Sequence, residues 1–217
     1  MDIAIAAFEH MAALDAIGPF EVLAHLPGAT IHWVGLEPGV VRTEEGAGVG
    51  IQVDKRIEDV PNPDVILVPG GHGEQHLRAS GRFMDWLRSA HTTSTWTTSV
   101  CTGSLVLGAA GLLDGLPATS HWLALEELEK FGAKPTLQRV VVNEPERVIT
   151  AAGVSSGIDM ALTLAARLAD DFVAQTIQLG IEYDPQPPFD AGSPLKAPKE
   201  SVDFLRASSR FLLTGAP

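Results

Sequence analysis

A single cysteine, Cys101, is the only thiol in this 217-residue chain, so no internal disulfide can form and no cage of thiolates can hold a metal. A reducing compartment, the cytoplasm, is the expectation. Basic residues are also in deficit: 15 Lys and Arg stand against 27 Asp and Glu, a formal charge of −12, which repels nucleic acid and anionic membrane surfaces. Aromatic residues are scarce, with eight Phe, four Trp and one Tyr, and no basic aromatic stripe offers a platform for stacked bases. The longest apolar run, Leu105 to Leu113, falls well short of the roughly 20 residues a membrane span requires. The opening MDIAIAAFEHM has no basic start and an acidic second residue, so an unexported protein without nucleic-acid or membrane partners is expected.

What is present is a globular balance, 45% hydrophobic and 19% charged, in a length that suits one domain over 1–217. Asp2 to Phe8 is apolar and predicts a strand, followed by a turn and a helix that begins near Pro19 and ends before Gly28. TIHWVGL at 30–36 predicts a second strand, and Val40 to Val53 alternates around Gly46, Gly48 and Gly50 as a hairpin does. DVILVPGG at 64–71 has the continuous apolar character of a strand buried on both faces, ending in two glycines. STWTTSV at 94–100 predicts another strand, with helices over Phe83 to Ala90, Gly103 to Leu113 and His121 to Phe131. RVVVN at 139–143 and RVITA at 147–151 are two β runs around a Glu-Pro turn. In the helix over Ser156 to Leu168 the strongly polar residues Asp159, Thr163 and Arg167 fall four apart, which reads as one solvated edge on a helix otherwise wrapped by protein. An amphipathic helix follows through Val173, Ile177 and Ile181. Five prolines and one glycine between Tyr183 and Pro198 exclude regular structure there, and a polar helical segment runs on to about Leu213, so 183–217 is expected to be a C-terminal arm and helix. Strands alternating with helices predict an α/β fold, flavodoxin-like and doubly wound, with a mostly parallel sheet and helices on both faces.

In such sheets reactive groups gather at the carboxyl ends of the strands, where Asp15, Gly70-Gly71 and Cys101 all fall. A cysteine on the turn between a strand and a helix has its sulfur near unpaired N–H groups, the geometry of a nucleophile elbow, and a depressed thiol pKa is expected of it. A lone cysteine is otherwise most simply a small buried hydrophobe, but the flanking Thr102, Gly103 and Ser104 favour the elbow. Asp15, in the apolar stretch Ala12 to Ile17, could serve only to cap a helix, yet a carboxyl buried there needs a partner. Gly70 and Gly71 could simply end a strand, or could aim N–H groups, with that of Thr102, at a developing negative charge. His72 and His76 are four apart, but the stretch offers no third ligand, so no metal is expected.

The strings DAIGPFEVL at 15–23, VPGGHG at 68–73, SVCTGSLVLGAAGLLDG at 99–115, ATSHW at 118–122 and GIDMALTLAARL at 157–168 resemble the ThiJ/PfpI superfamily, a branch of the class I glutamine-amidotransferase-like fold. Within it the likeness is strongest to the isonitrile hydratases and extends to YDPQPPFDAGSP at 183–194 in the arm. The resemblance implies a nucleophile at Cys101, an acidic partner at Asp15, and backbone donors at Gly71 and Thr102. It further implies a Thr102 hydroxyl that helps hold water with Asp15, and a histidine near the sulfur at His121. AAGVSSG at 151–157 departs from a glycine-rich turn, and Ser120 stands where Thr is expected.

The implied reaction is hydration of a small isonitrile to an N-substituted formamide through a covalent thioimidate, without metal or organic cofactor, in a homodimer. The same cysteine could instead act on aldehydes, as in glyoxalase-like or deglycase relatives, or serve as a redox or ligand sensor.

Overall fold

In a computed structural model that describes residues 1–43 and 48–209, β1 (Asp2–Ala6) lies inside a seven-stranded sheet. β2 (Thr30–Gly35) pairs with β1 on one side and carries the short β5 (Lys55–Arg56) at the edge, while β3 (Gly39–Arg42) and β4 (Gly50–Val53) form a separate antiparallel hairpin. On the other side of β1 come β6 (Val65–Val68), β7 (Trp96–Val100), β11 (Val148–Ala151) and β10 (Val140–Asn143). The short β8 (Pro117–Ala118) and β9 (Lys134–Pro135) pair outside this sheet. All its pairings are parallel except β10 with β11, the antiparallel edge expected of two runs joined by a tight turn. β6 is buried at all four positions, as a central parallel strand covered on both faces must be.

The helices fall into two groups, as cover on both faces requires. α1 (Ala13–Leu23), α6 (Ser156–Leu168) and α7 (Asp171–Gly180) pack together, while α2 (Glu74–Ala79) packs on α3 (Gly81–Thr93) and α4 (Gly103–Ala109). α5 (Leu125–Glu129) lies against α4, and α8 (Lys199–Ala207) follows the arm. No helix among the described residues is long and apolar enough to cross a membrane.

Several boundaries differ from the sequence expectation. α1 begins at Ala13 rather than near Pro19, which lies inside the helix and leaves the Asp15 carbonyl without an N–H four residues on. Asp15 is therefore in the first turn of α1, not a cap before it. α2 was not foreseen: it has only six residues, and an internal pair from Arg78 Nε to the buried Glu74 Oε2 at 2.5 Å ties it together. α4 ends at Ala109, four residues early, because Gly111 takes a left-handed φ of +83° and turns the chain. The span from His121 is a 3₁₀ turn over Trp122–Ala124 before α5, not one helix. The polar stripe of α6 is bonded rather than merely solvated, with Asp159 to Arg139 and Arg167 to Glu144. Gly46 and the expected helical residues beyond 209 lie outside the described residues, and α8 itself ends at Ala207.

The chain turns from β7 into α4 directly beneath β6. At Gly103 an added Cβ would lie 2.1 Å from the Val68 carbonyl oxygen, so only glycine lets the helix start this close to the neighbouring strand end. Gly103→Ala is expected to lower unfolding free energy by about 1–3 kcal/mol in urea titration, through overpacking against backbone that cannot retreat.

Candidate active site

Three strand ends meet where the sequence placed its candidates. Cys101 follows β7 with a φ of +57°, a conformation uncommon outside glycine, and is only 6% exposed. Its N–H is shared between the carbonyls of Ala151 at 3.1 Å and Ala152 at 2.9 Å. Its carbonyl accepts from the hydroxyls of Ser104 at 3.1 Å and Ser120 at 3.0 Å. The turn is thus fixed from both sides, and Ser120 supplies a hydroxyl at the position where Thr was expected.

Asp15 is fully buried. Its Oδ2 accepts the Gly70 N–H at 2.9 Å, and the Cys101 thiol is its other hydrogen-bonding neighbour. Gly70 was expected to aim its N–H at a developing anion; that donor is committed to Asp15, so Gly70 holds the carboxyl in place. The residue must be glycine, since a Cβ would lie 2.5 Å from the Thr102 nitrogen. The Gly71 N–H donates to Thr102 Oγ1 at 3.0 Å, which leaves that hydroxyl its own O–H and a second lone pair. The backbone donors that reach the sulfur are the N–H groups of Thr102 and Val154. Thr102 was anticipated; Val154, at a left-handed φ of +30°, was not, because nothing in the sequence marks a β-branched residue for that conformation.

The electrostatics correct a further expectation. Burial pushes the Cys101 thiol up to about 12, with the charge of Asp15 acting in the same direction and the N–H groups of Val154 and Thr102 opposing both. A depressed thiol was expected from the elbow, but desolvation outweighs two N–H dipoles. Burial likewise raises the Asp15 carboxyl to about 7, moderated by the Gly70 N–H and the thiol. Near neutral pH the thiol therefore keeps its proton while the Asp15 carboxyl stands between its two forms. A carboxyl poised at the working pH suits a group that must give and then retake a proton. His121 is held below its ordinary value by burial, and its Nδ1 accepts the Leu123 N–H at 3.3 Å, so the neutral ring carries its proton on Nε2.

Two cavities flank this centre. One of about 330 Å³ is lined by Ser120, His121, Trp122, Leu137, Val154 and Pro194, among others, so the arm forms part of its wall. The other, about 500 Å³, reaches Gly71 and is lined by His10, Thr43, His72 and His76. Among the described residues no group of three His, Cys, Asp or Glu is placed to hold a metal ion.

The sequence profile of the DJ-1/PfpI family matches residues 1–167. The chain belongs to that family. An isonitrile hydratase from Pseudomonas putida is 44% identical over 199 residues, which is 92% of this chain and 86% of that protein. The crystal structure of a ThiJ/PfpI family protein from Pseudomonas syringae superposes with a TM-score of 0.91 at 36% identity, covering 95% of this chain and 85% of that one. An HTH-type transcriptional regulator from Pseudomonas aeruginosa, CdhR, is 27% identical over 74% of this chain and 47% of its own length. The family membership agrees with the resemblance carried by the elbow string around Cys101.

Asp15 links the site to stability. Its folded carboxyl sits near 7 against an ordinary 3.8, so the folded state holds an extra proton between those values. The stability this gives is complete below the lower value and is lost as pH rises through the upper one, up to about 4 kcal/mol. Asp15→Asn carries no such dependence, so its melting temperature relative to wild type is expected to climb from about pH 5 to about pH 8. In the same variant the Cys101 thiol loses a neighbouring negative charge, and its alkylation by iodoacetamide at about pH 8 is expected to quicken about tenfold.

Proposed function

We propose that this protein is a cysteine-dependent isonitrile hydratase that converts an isonitrile and water to an N-substituted formamide. The observation that carries the reading is the buried Cys101–Asp15 pair, a protonated thiol beside a carboxyl poised near 7, in a chain 44% identical to a protein named for this reaction.

The Cys101 thiol passes its proton to the ionised Asp15 as the sulfur attacks the terminal isonitrile carbon, and Asp15 delivers that proton to the same carbon. A carbon–sulfur bond forms and the thioimidate has a C=N bond and one C–H. Asp15, now ionised, draws a proton from water as the hydroxide adds to the same carbon, and that proton passes to nitrogen. Asp15 then takes the hydroxyl proton as the carbon–oxygen double bond forms and the thiolate leaves. The formamide departs with the proton back on the pair, so no oxidant, metal or organic cofactor is consumed. His121, with its proton on Nε2, serves as a neutral donor in the pocket, and the N–H groups of Thr102 and Val154 face the sulfur.

The substituent on the isonitrile nitrogen occupies the cavity of about 330 Å³, where Trp122, Leu125 and Leu137 favour aryl or alkyl groups. The same reading takes 1–217 as one domain with 183–217 as an arm, working as a cytoplasmic homodimer.

Wild-type protein mixed with an aryl isonitrile is expected to yield formamide, and Cys101→Ala to lose at least about 10³-fold in kcat/KM. Asp15→Asn is expected to lose turnover as well, and intact-mass spectrometry reports which step stops. An accumulated thioimidate means that hydrolysis lacks its base; no adduct means that attack requires the Asp15 proton. Formamide from none of a set of alkyl and aryl isonitriles, with Cys101-dependent consumption of methylglyoxal, would overturn the assignment in favour of an aldehyde-acting enzyme.

A further inference from the structure

The N–H that Val154 directs at the sulfur belongs to a turn held by bonds from within and from outside it. Val154 is β-branched and sits at a φ of +30°, and strain of this kind persists only where the surroundings over-determine it. Within the turn, the Ser156 N–H and hydroxyl both donate to the Gly153 carbonyl, at 3.1 and 2.9 Å. Further constraint comes from outside it: the Cys101 N–H donates to the Ala152 carbonyl, the Gly157 N–H of α6 donates to the Val154 carbonyl at 3.3 Å, and Arg139, just before the edge strand β10, reaches both ends.

Arg139 grips both ends of the turn. Its carbonyl accepts the Ala152 N–H at 2.9 Å, and its Nη2 donates to Ser155 Oγ at 3.3 Å, so the residues on either side of Gly153-Val154 are tied to it. The guanidinium is itself fixed, with Nε donating to Asp159 Oδ2 at 2.6 Å, and that oxygen accepts the Tyr183 hydroxyl at 3.1 Å. A planar fork with several donors can make these bonds together, which a point-charge ammonium cannot. Ala152 in turn accepts the Cys101 N–H, so the same turn holds the elbow.

We propose that Arg139 is a positioning residue for Cys101, clamping the 152–155 turn so that the Val154 N–H stays aimed at the sulfur and eases formation of the thiolate. Its effect on turnover rests on the reading of Cys101 as the nucleophile; its effect on the thiol itself does not. The titratable group that acts on the thiol is Asp15 from α1, and the His121 ring lies against Gly153 of the turn. Neither of them is bonded to Arg139, so a change at Arg139 reaches the sulfur through the turn.

The test follows Cys101 alkylation by iodoacetamide from about pH 6 to about pH 10 in wild type, Arg139→Gln, Arg139→Lys and Ser155→Ala, with kcat, KM and thermal melts on the same preparations. Arg139→Gln is expected to slow alkylation about tenfold at each pH below the thiol midpoint, the equivalent of about one pH unit. Its kcat should fall about tenfold, and KM is expected to shift as well because Arg139 lines the cavity assigned to the substituent, so the alkylation rate, which needs no substrate, decides the role. Arg139→Lys keeps the charge but not the fork and should behave much like Arg139→Gln; Ser155→Ala should show a smaller loss of the same kind. Unchanged alkylation in Arg139→Gln overturns the clamp. So does a wild-type profile in Arg139→Lys, which would assign the effect to charge alone. If the wild type turns over no isonitrile, the reaction proposed above fails, while the alkylation rates still decide the role of Arg139.

Discussion

A cysteine with a φ of +57° is possible here only because every polar group of its peptide unit is committed: two carbonyls take its N–H and two serine hydroxyls give to its carbonyl. That turn places the sulfur against the Thr102 and Val154 N–H groups and beside Asp15, and it forces α4 to begin under the end of β6. The glycines at 70 and 103 follow from it, since any side chain there would enter the backbone of the neighbouring segment. The parallel sheet supplies the rest, because β1, β6 and β7 are adjacent and all point their carboxyl ends at one crevice.

Burying an acid next to a thiol is unfavourable for both, and that is what makes the pair useful. Desolvation raises both groups, so the thiol keeps its proton at neutral pH while the carboxyl beside it is poised to take a proton and give it back. An exposed elbow would give a more acidic thiol and an ordinary carboxylate, with no proton to deliver to carbon. The Gly70 N–H keeps the carboxyl oriented while its charge comes and goes.

Much of this was legible in the residues. The apolar run Val65–Val68 before Pro69-Gly70-Gly71 marks a central strand and a loop of close approach, and Cys101 between a strand and Gly103 marks the elbow. The start of α1 was misplaced because Pro19 is a strong signal for a first turn, whereas packing of α1 on α6 carries the helix through it. The thiol's pKa was misjudged because dipoles can be read from a motif but desolvation depends on what covers the sulfur. Val154 and Arg139 gave no signal, since one acts through its peptide N–H and the other through bonds to residues 13 to 20 positions away.

The sequence by itself determined the α/β pattern, the identity of the candidate nucleophile and acid, and the family, because periodicity and local strings are properties of neighbouring residues. The tertiary structure decided the bonds made by Gly70 and Gly71, the raised proton affinity of Cys101 and Asp15, and the tie from Arg139 to the turn beside the sulfur. Those depend on which groups from distant segments are brought within a hydrogen bond of one another and shielded from water, and no local spacing encodes that.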